Sequence, residues 1–387
     1  MTFERFSNIS LELALNSRVS TGGWKGEEKA GKLSSKPLIH DQIKFVFWCL
    51  SHTPSISEES VVIECNGKKF DKKTLTLDGE EIALKPVVRP RFHDMDVLSP
   101  TIRLHWTKKG PVQFSTGIEN SYWVERGMAQ EMVHIAGSIA QMGVCIIGGV
   151  YVDLVPMIPY FSPNPPQNYR KGNLPNPLRD SRNSAVECIK KWKPSEAFDS
   201  EKITKPQLGQ LLWAGFGCAP HNTYSYNWYG TLNFWGQGKT IPSASAIPTT
   251  SLYVIEDDGI FKYVNWNEEE NVATHSLGLI RKGDPLKVGE YRNGALRYVR
   301  TGELLQEVNN LVPKLPEAST YIMITSNGRH PPYFSLMEAG YSALNVVLQA
   351  QALNRKSNIV VISRKQMEKI QQTIGVFDVP IAFIPIG

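Results

Sequence analysis

The chain of 387 residues carries 42 basic and 37 acidic residues, a formal charge of +5, and is 41% hydrophobic and 20% charged. That balance is ordinary for a folded globular protein with room for two or three cores, and it excludes wholesale disorder. The positive charges are scattered, with no block of like charges that would track a nucleic-acid backbone, so no nucleic-acid partner is expected. Cys49, Cys65, Cys145, Cys188 and Cys218 are odd in number, widely spaced and free of any C-x-x-C, which predicts neither a disulfide framework nor a metal site. Met1 to Ser20 has no apolar run of signal length, and the longest apolar stretches elsewhere are too short for a bilayer. A soluble, unprocessed cytoplasmic protein with no membrane partner is the expectation.

In chain order, a Gly- and Lys-rich loop follows Ser17-Arg18-Val19-Ser20, and Ile43, Val46, Phe47 and Leu50 recur at helical spacing over Asp41 to Leu50. His52-Thr53-Pro54-Ser55 breaks that helix, and Val61 to Cys65 reads as a strand turned back at Asn66-Gly67. Residues 68 to 115 look β-rich. A long helix from about Tyr122 to Met142 places Met128, Met132, Ile135, Ala136 and Ile139 on one face, with Gly143 as its expected cap. Residues 156 to 180, crowded with Pro and Asn, read as an extended connector.

After the connector the pattern restarts. Arg182-Asn183-Ser184, a helix ending at Leu211-Leu212-Trp213-Ala214, Pro242-Ser243 and the strand Tyr253 to Glu256 follow the order of Arg18-Val19-Ser20, Trp48, Pro54-Ser55 and Val61 to Glu64. Glu125-Arg126-Gly127 likewise matches Glu338-Ala339-Gly340. The chain therefore reads as an internal repeat, with halves 1–155 and 181–387 joined by 156–180. The second half carries an insertion from Gly217 to Lys239 that holds Tyr224, Tyr226, Trp228, Tyr229, Phe234 and Trp235. So many aromatics are costly to expose, which makes the insertion either a lid over a pocket or packing between the halves.

Pro206 to Gly215, Ile241 to Pro248 and Leu336 to Asn345 occur in the order that resembles the flavin-binding nitroreductase superfamily, and within it the SagB-type peptide dehydrogenases. The resemblance implies an α+β fold of two nitroreductase-like halves, each a mostly antiparallel sheet flanked by helices, and FMN as cofactor. Relatives are usually homodimers with FMN in the interface; here a duplicated chain would be its own dimer. One implied site joins Arg18, Ser20, Gly148 and Gly149 to Pro242, Ser243, Ala244 and Ser245, with Arg170 and Lys171 as further phosphate contacts. A guanidinium suits phosphate because it offers a fork of donors. The other site would join Arg182 and Ser184 to Pro54 and Ser55, but Asn354 to Asn358 stands where a Gly turn is expected and Glu58 and Glu59 follow, so one FMN per chain is expected.

Because a flavin carries most of the chemistry, no catalytic triad is required; Tyr333 and His221, with His275, are the candidate proton-handling residues. SagB-type proteins carry a Lys-Tyr pair before the Glu-x-Gly helix, where this chain has Arg329-His330-Pro331-Pro332-Tyr333. The expected function is FMN-dependent oxidation of a modified peptide or similar natural-product intermediate, with a small-molecule or peptide substrate as partner and further self-association open. The alternatives are a general NAD(P)H-dependent nitro or quinone reductase and a flavin-free scaffold.

Overall fold

A computed structural model describes residues 3–19, 31–33, 38–57, 61–65, 68–71, 101–106, 120–147, 151–155, 157–159, 161–199, 201–226, 232–243, 248–256, 259–282, 286–291, 295–299, 306, 308–312, 314–328 and 332–387. Two long helices form its centre, α3 (Asn120–Ile139) and α6 (Pro332–Ala352). Nearly every residue of both is buried, polar ones such as Glu131 and His134 of α3 included, so neither helix keeps a solvent-facing stripe. Pro332 opens α6 at the first helical position, where its missing N–H costs nothing.

The two helices cross at glycines. A Cβ on Gly127 would overlap the carbonyl oxygen of Met337, and one on Gly340 would overlap the carbonyl oxygen of Val124. Each glycine thus meets the backbone three residues before the other, a reciprocal contact with the form of a twofold relation. The buried carboxyls beside this crossing are reciprocal as well. Glu125 accepts from the backbone N–H groups of Ile56 and Ser57 at 2.9 and 2.8 Å, and Glu338 accepts from the N–H and hydroxyl of Thr249, both at 2.7 Å.

Two short pairs, β1 (Gly31–Leu33) with β7 (Met157–Pro159) and β13 (Leu286–Tyr291) with β14 (Ala295–Val299), form sheets of their own, and each long helix accompanies a larger antiparallel sheet. The first combines β2 (Val61–Cys65), β3 (Lys68–Asp71), β4 (Thr101–Trp106), β5 (Gly143–Ile147) and β6 (Tyr151–Val155) in the order β3-β2-β4-β6-β5. The second combines β10 (Thr250–Glu256), β11 (Gly259–Asn267), β12 (Val272–Lys282), β15 (Thr320–Ser326), β16 (Val360–Val361) and β17 (Val379–Ile386) in the order β12-β11-β10-β15-β17-β16. Apart from β12, the orders correspond strand for strand, and α3 falls between β4 and β5 as α6 falls between β15 and β16. All seven residues of β15 are buried because α6 and the amphipathic helix α7 (Arg364–Ile374) cover opposite faces of this sheet.

Shorter helices are paired too. In α2 (His40–Ser51) and α5 (Lys205–Phe216) the landmark residues Trp48 and Trp213 occupy the same position, and α5 opens on a Thr204/Gln207 capping box. For α1 (Leu11–Ser17) and α4 (Ala185–Lys191), the N–H of Leu11 donates to Asn183 and that of Ala185 donates to Ile9. Ser10 therefore corresponds to Ser184, each the residue before its helix. This corrects the repeat register: Arg182-Asn183-Ser184 precedes α4, whereas Arg18 follows α1, so the two Arg-x-Ser motifs are not equivalent.

Two further expectations shift. The left-handed residue after α3 is Gln141, at φ 58°, and Gly143 instead begins β5; Asn354, at φ 54°, does the same after α6. Asn354 to Asn358 thus corresponds to the segment after Gln141, while Gly148-Gly149 falls in the chain between β5 and β6, where the second half has α7 between β16 and β17. The comparison of those two stretches as one turn was out of register. The insertion begins and ends as the hairpin β8 (Cys218–Tyr226) and β9 (Leu232–Lys239). The connector runs extended along β12, where Arg170 and Leu174 donate to the carbonyls of Ala273 and His275.

Replacing Gly127 or Gly340 by alanine should cost at least about 1–3 kcal/mol in denaturant unfolding, because the new methyl meets backbone that cannot rotate away. Gly278→Ala, where the nearest atom would lie 3.8 Å away, should change stability by less than about 0.5 kcal/mol.

Candidate functional site

The polypeptide leaving α1 is extended at Arg18 and delivers this side chain, 2% exposed, to the end of β9. Arg18 Nε donates to the Thr240 carbonyl at 3.1 Å and Nη2 to that of Lys239 at 2.8 Å. Thr240 is a junction: its hydroxyl bonds the Trp213 carbonyl at the end of α5, and its own carbonyl also accepts from Asn345 Nδ2 of α6 at 3.2 Å. Asn345 Nδ2 reaches Glu131 Oε1 of α3 at 3.0 Å. First-half residues on α1 and α3 thereby meet second-half residues immediately before Pro242-Ser243, where Pro242 is buried and Ser243 half-buried.

This junction gathers several buried polar atoms with no hydrogen-bond partner among the described residues: Arg18 Nη1, Glu131 Oε2, both ring nitrogens of His134, His221 Nδ1 and Asn345 Oδ1. Such atoms are costly unless something satisfies them. Burial lowers the Arg18 pKa, but an arginine stays protonated. Burial pushes the Glu131 carboxyl up to about 8 against the opposing pull of Arg18 and the Asn345 bond, so at neutral pH it holds its proton. No ion pair joins it to Arg18 among the described residues. Burial, assisted by Arg18, keeps His134 well below the ordinary imidazole range and brings His221 down to about 3.

Against the sequence expectations, the structure bonds Arg18 to the carbonyls of Lys239 and Thr240, just before Pro242-Ser243 in the chain, and leaves Nη1 as the nitrogen without a partner among the described residues rather than a fork. Ser20, Gly148, Gly149, Ala244 and Ser245 lie outside the described residues, as do Trp228 and Tyr229. Arg170 stands apart, exposed and paired with Glu270. His221 joins the junction as a neutral imidazole against Gly238, which suits it to hydrogen bonding rather than to taking a proton at neutral pH. His275 is held in a different place, with Nδ1 2.8 Å from the Tyr263 hydroxyl. Tyr333 sits half-buried at the start of α6, its ring 5.6 Å from that of Trp123, and burial raises its pKa. Glu131, His134 and Asn345 escaped the sequence reading. The available signal was that Glu131 and His134 interrupt the apolar spacing of Met128, Met132 and Ile135 on a helix with no solvent face.

Among the described residues no group of three His, Cys, Asp or Glu could hold a metal ion, and no helix is long and apolar enough to cross a membrane. A family model described as the nitroreductase family matches residues 189–387, just over half of the chain. The chain belongs to the nitroreductase family. No curated protein matches this nitroreductase-family chain. Among solved structures, it is similar to a putative nitroreductase from Ralstonia eutropha, at 19% identity over 59% of this chain and 94% of that one, TM-score 0.38. A putative nitroreductase from Anabaena variabilis gives 12% identity over 69% and 64%, TM-score 0.41. The E. coli microcin synthetase McbBCD complex, bound to truncated pro-MccB17, gives 13% over 51% and 71%, TM-score 0.32.

His134 and His221 are neutral when folded but protonate below about pH 6.5 when unfolded, so they favour unfolding as pH falls from there toward the folded value. Between pH 6.5 and 5 each of these histidines should lower the unfolding free energy by about 1 kcal/mol per pH unit, and His221→Gln should remove one such share from the slope in urea titrations at each pH.

Proposed function

We propose that this nitroreductase-family chain is an FMN-dependent oxidoreductase whose two halves, 1–155 and 181–387, act as a built-in dimer, with one flavin between them. The observation that carries the reading is the reciprocal crossing of Gly127 and Gly340, with the Glu125 and Glu338 caps beside it. Two halves related in this way build between themselves the interface that separate subunits would otherwise supply. The corresponding strand orders of the two sheets support the same reading.

The residues at the junction fit the cofactor. Arg18 Nη1 is a charged donor without a partner, and Pro242-Ser243 brings a rigid, small-residue backbone next to it. The flavin, when bound, supplies two-electron transfer to or from the substrate. The protein's share is to hold the anionic end with Arg18, to fix Thr249 and the chain leading to it through Glu338, and to keep water from the junction by burying Thr240, Ile241 and Pro242. Tyr333 supports the substrate side, standing with Trp123 and Phe334 as an aromatic wall at the start of α6.

For the substrate we favour a modified peptide or comparable bulky intermediate, on the SagB-like residues of the second half and on an aromatic insertion larger than a small quinone requires. Pure protein should be yellow and release about one FMN per chain on denaturation, identified by absorbance and mass. Arg18→Ala should lower that ratio several-fold, whereas Arg170→Ala should leave it unchanged because its charge already faces Glu270. Absence of flavin in freshly purified protein and after incubation with FMN would favour a flavin-free scaffold. Fast NAD(P)H-driven nitroaromatic reduction without turnover of peptide heterocycles would favour the general reductase.

A further inference from the structure

The unpartnered polar atoms at the junction are not what the crossing of α3 and α6 requires. In the register set by Gly127 and Gly340, Gln130, Glu131 and His134 of α3 correspond to Ala343, Leu344 and Val347 of α6, all fully buried and apolar. The same packing positions are thus filled by apolar side chains on one side of the relation and by polar ones, two of them ionisable, on the other. Burying a carboxyl and an imidazole where leucine and valine suffice costs stability, and Arg18 Nη1 and Glu131 Oε2 each remain without a partner among the described residues.

We propose that Arg18, Glu131, His134 and His221 form a proton-coupled oxyanion site, in which a phosphate-like or sulfate-like group reaches Nη1 of Arg18 and is bound together with one proton held on Glu131. In so dry a place one guanidinium can be balanced by one negative group. Glu131 is the internal candidate and the oxyanion the external one, and an ionised Glu131 beside a bound oxyanion would add negative charge that no further cation there compensates. The surrounding groups leave that choice open. From α1, Glu12 is engaged by Gln349 and Ser181. On α3, Arg126 lies over the Trp123 ring, Gln130 accepts from the Tyr341 hydroxyl, and His134 is neutral. On α6, Glu338 is engaged by Thr249 and Asn345 clamps one oxygen of Glu131. His221 of β8 is neutral, and the Lys239 ammonium of β9 is turned to Cys218 and Asn265. Arg18 is therefore the charge that acts on Glu131, whose titration near 8 sets where the exchange occurs. Below that value Glu131 is neutral and Arg18 is available to the anion. Above it, Glu131 ionises and competes, so affinity should fall up to tenfold per pH unit.

The oxyanion can be the cofactor's phosphate, in which case the inference rests on the flavin reading, or a free anion. The test measures binding of FMN, riboflavin and sulfate to wild type and Glu131→Gln at pH 7.0 and 9.5; sulfate does not itself titrate in this range. In wild type either FMN or sulfate should bind at least tenfold more weakly at the higher pH, with less than a twofold change in Glu131→Gln. A step seen with FMN but not riboflavin assigns the site to the cofactor's phosphate, and a step with sulfate alone assigns it to a free oxyanion. Equal pH dependence in wild type and variant, or no step with any probe, overturns the proposal. Failure of FMN and riboflavin to bind at either pH counts against the flavin reading instead, and the sulfate titration then decides this one. Should Glu131→Gln not fold, calorimetry of wild type at pH 9 in two buffers of different ionisation enthalpy gives the proton uptake directly. A value near one per bound anion supports coupling, and zero overturns it.

Discussion

The backbone approach of α3 and α6 at Gly127 and Gly340 is the constraint from which the rest of the arrangement follows. Two helices can meet at carbonyl oxygens only where neither carries a Cβ, and once they do, every residue a few turns away is placed to within one helical step. Glu125 and Glu338 then stand beside the crossing, each near enough to take the N–H groups of a chain about to enter a strand. Those carboxyls are buried, and multiple short hydrogen bonds are what make burial of such groups tolerable. Helix crossing, loop placement and sheet entry are in this way one coupled structure rather than three.

The junction around Thr240 has the opposite character. Its carbonyl serves both Arg18 and Asn345 and its hydroxyl the Trp213 carbonyl, so the residue after α1, α5 and α6 converge on Thr240 just before Pro242-Ser243, with Glu131 of α3 joined through Asn345. Polar groups there are incompletely satisfied, which is a stability cost in a folded protein and a resource for ligand binding. The long helices supply both features: matched glycines give a rigid, nearly symmetric crossing, and unmatched side chains beyond it give one side chemistry that the other lacks.

Much of this was legible in the sequence. The period of α2 and α3, the Asn66-Gly67 turn signal between paired strands, the recurrence of Trp48 as Trp213 and of Glu125-x-Gly127 as Glu338-x-Gly340 depend on local spacing, and local spacing is what a sequence records directly. Membership of the nitroreductase family was likewise carried by short motifs in order along the second half. Where the reading slipped, the evidence was a short polar motif without a periodic frame. Arg18-x-Ser20 and Arg182-x-Ser184 look alike as strings but stand on opposite ends of their helices, and Gln141 rather than Gly143 takes the left-handed turn.

By itself the sequence determined the helices α2, α3 and α5, the strands β2 and β10, and that small residues and carboxyls mark the long helices. Only the tertiary structure decided which residues share a site. Arg18 meets Lys239 and Thr240 more than two hundred residues later, and Glu131 meets Asn345 across the crossing. Ionisation was decided there too: Glu131 holds its proton because burial outweighs the pull of the Arg18 guanidinium, and His221 loses its own because burial and that guanidinium act together. Desolvation and charge proximity are properties of position in space, and no one-dimensional pattern encodes them until the glycines have brought the two helices together.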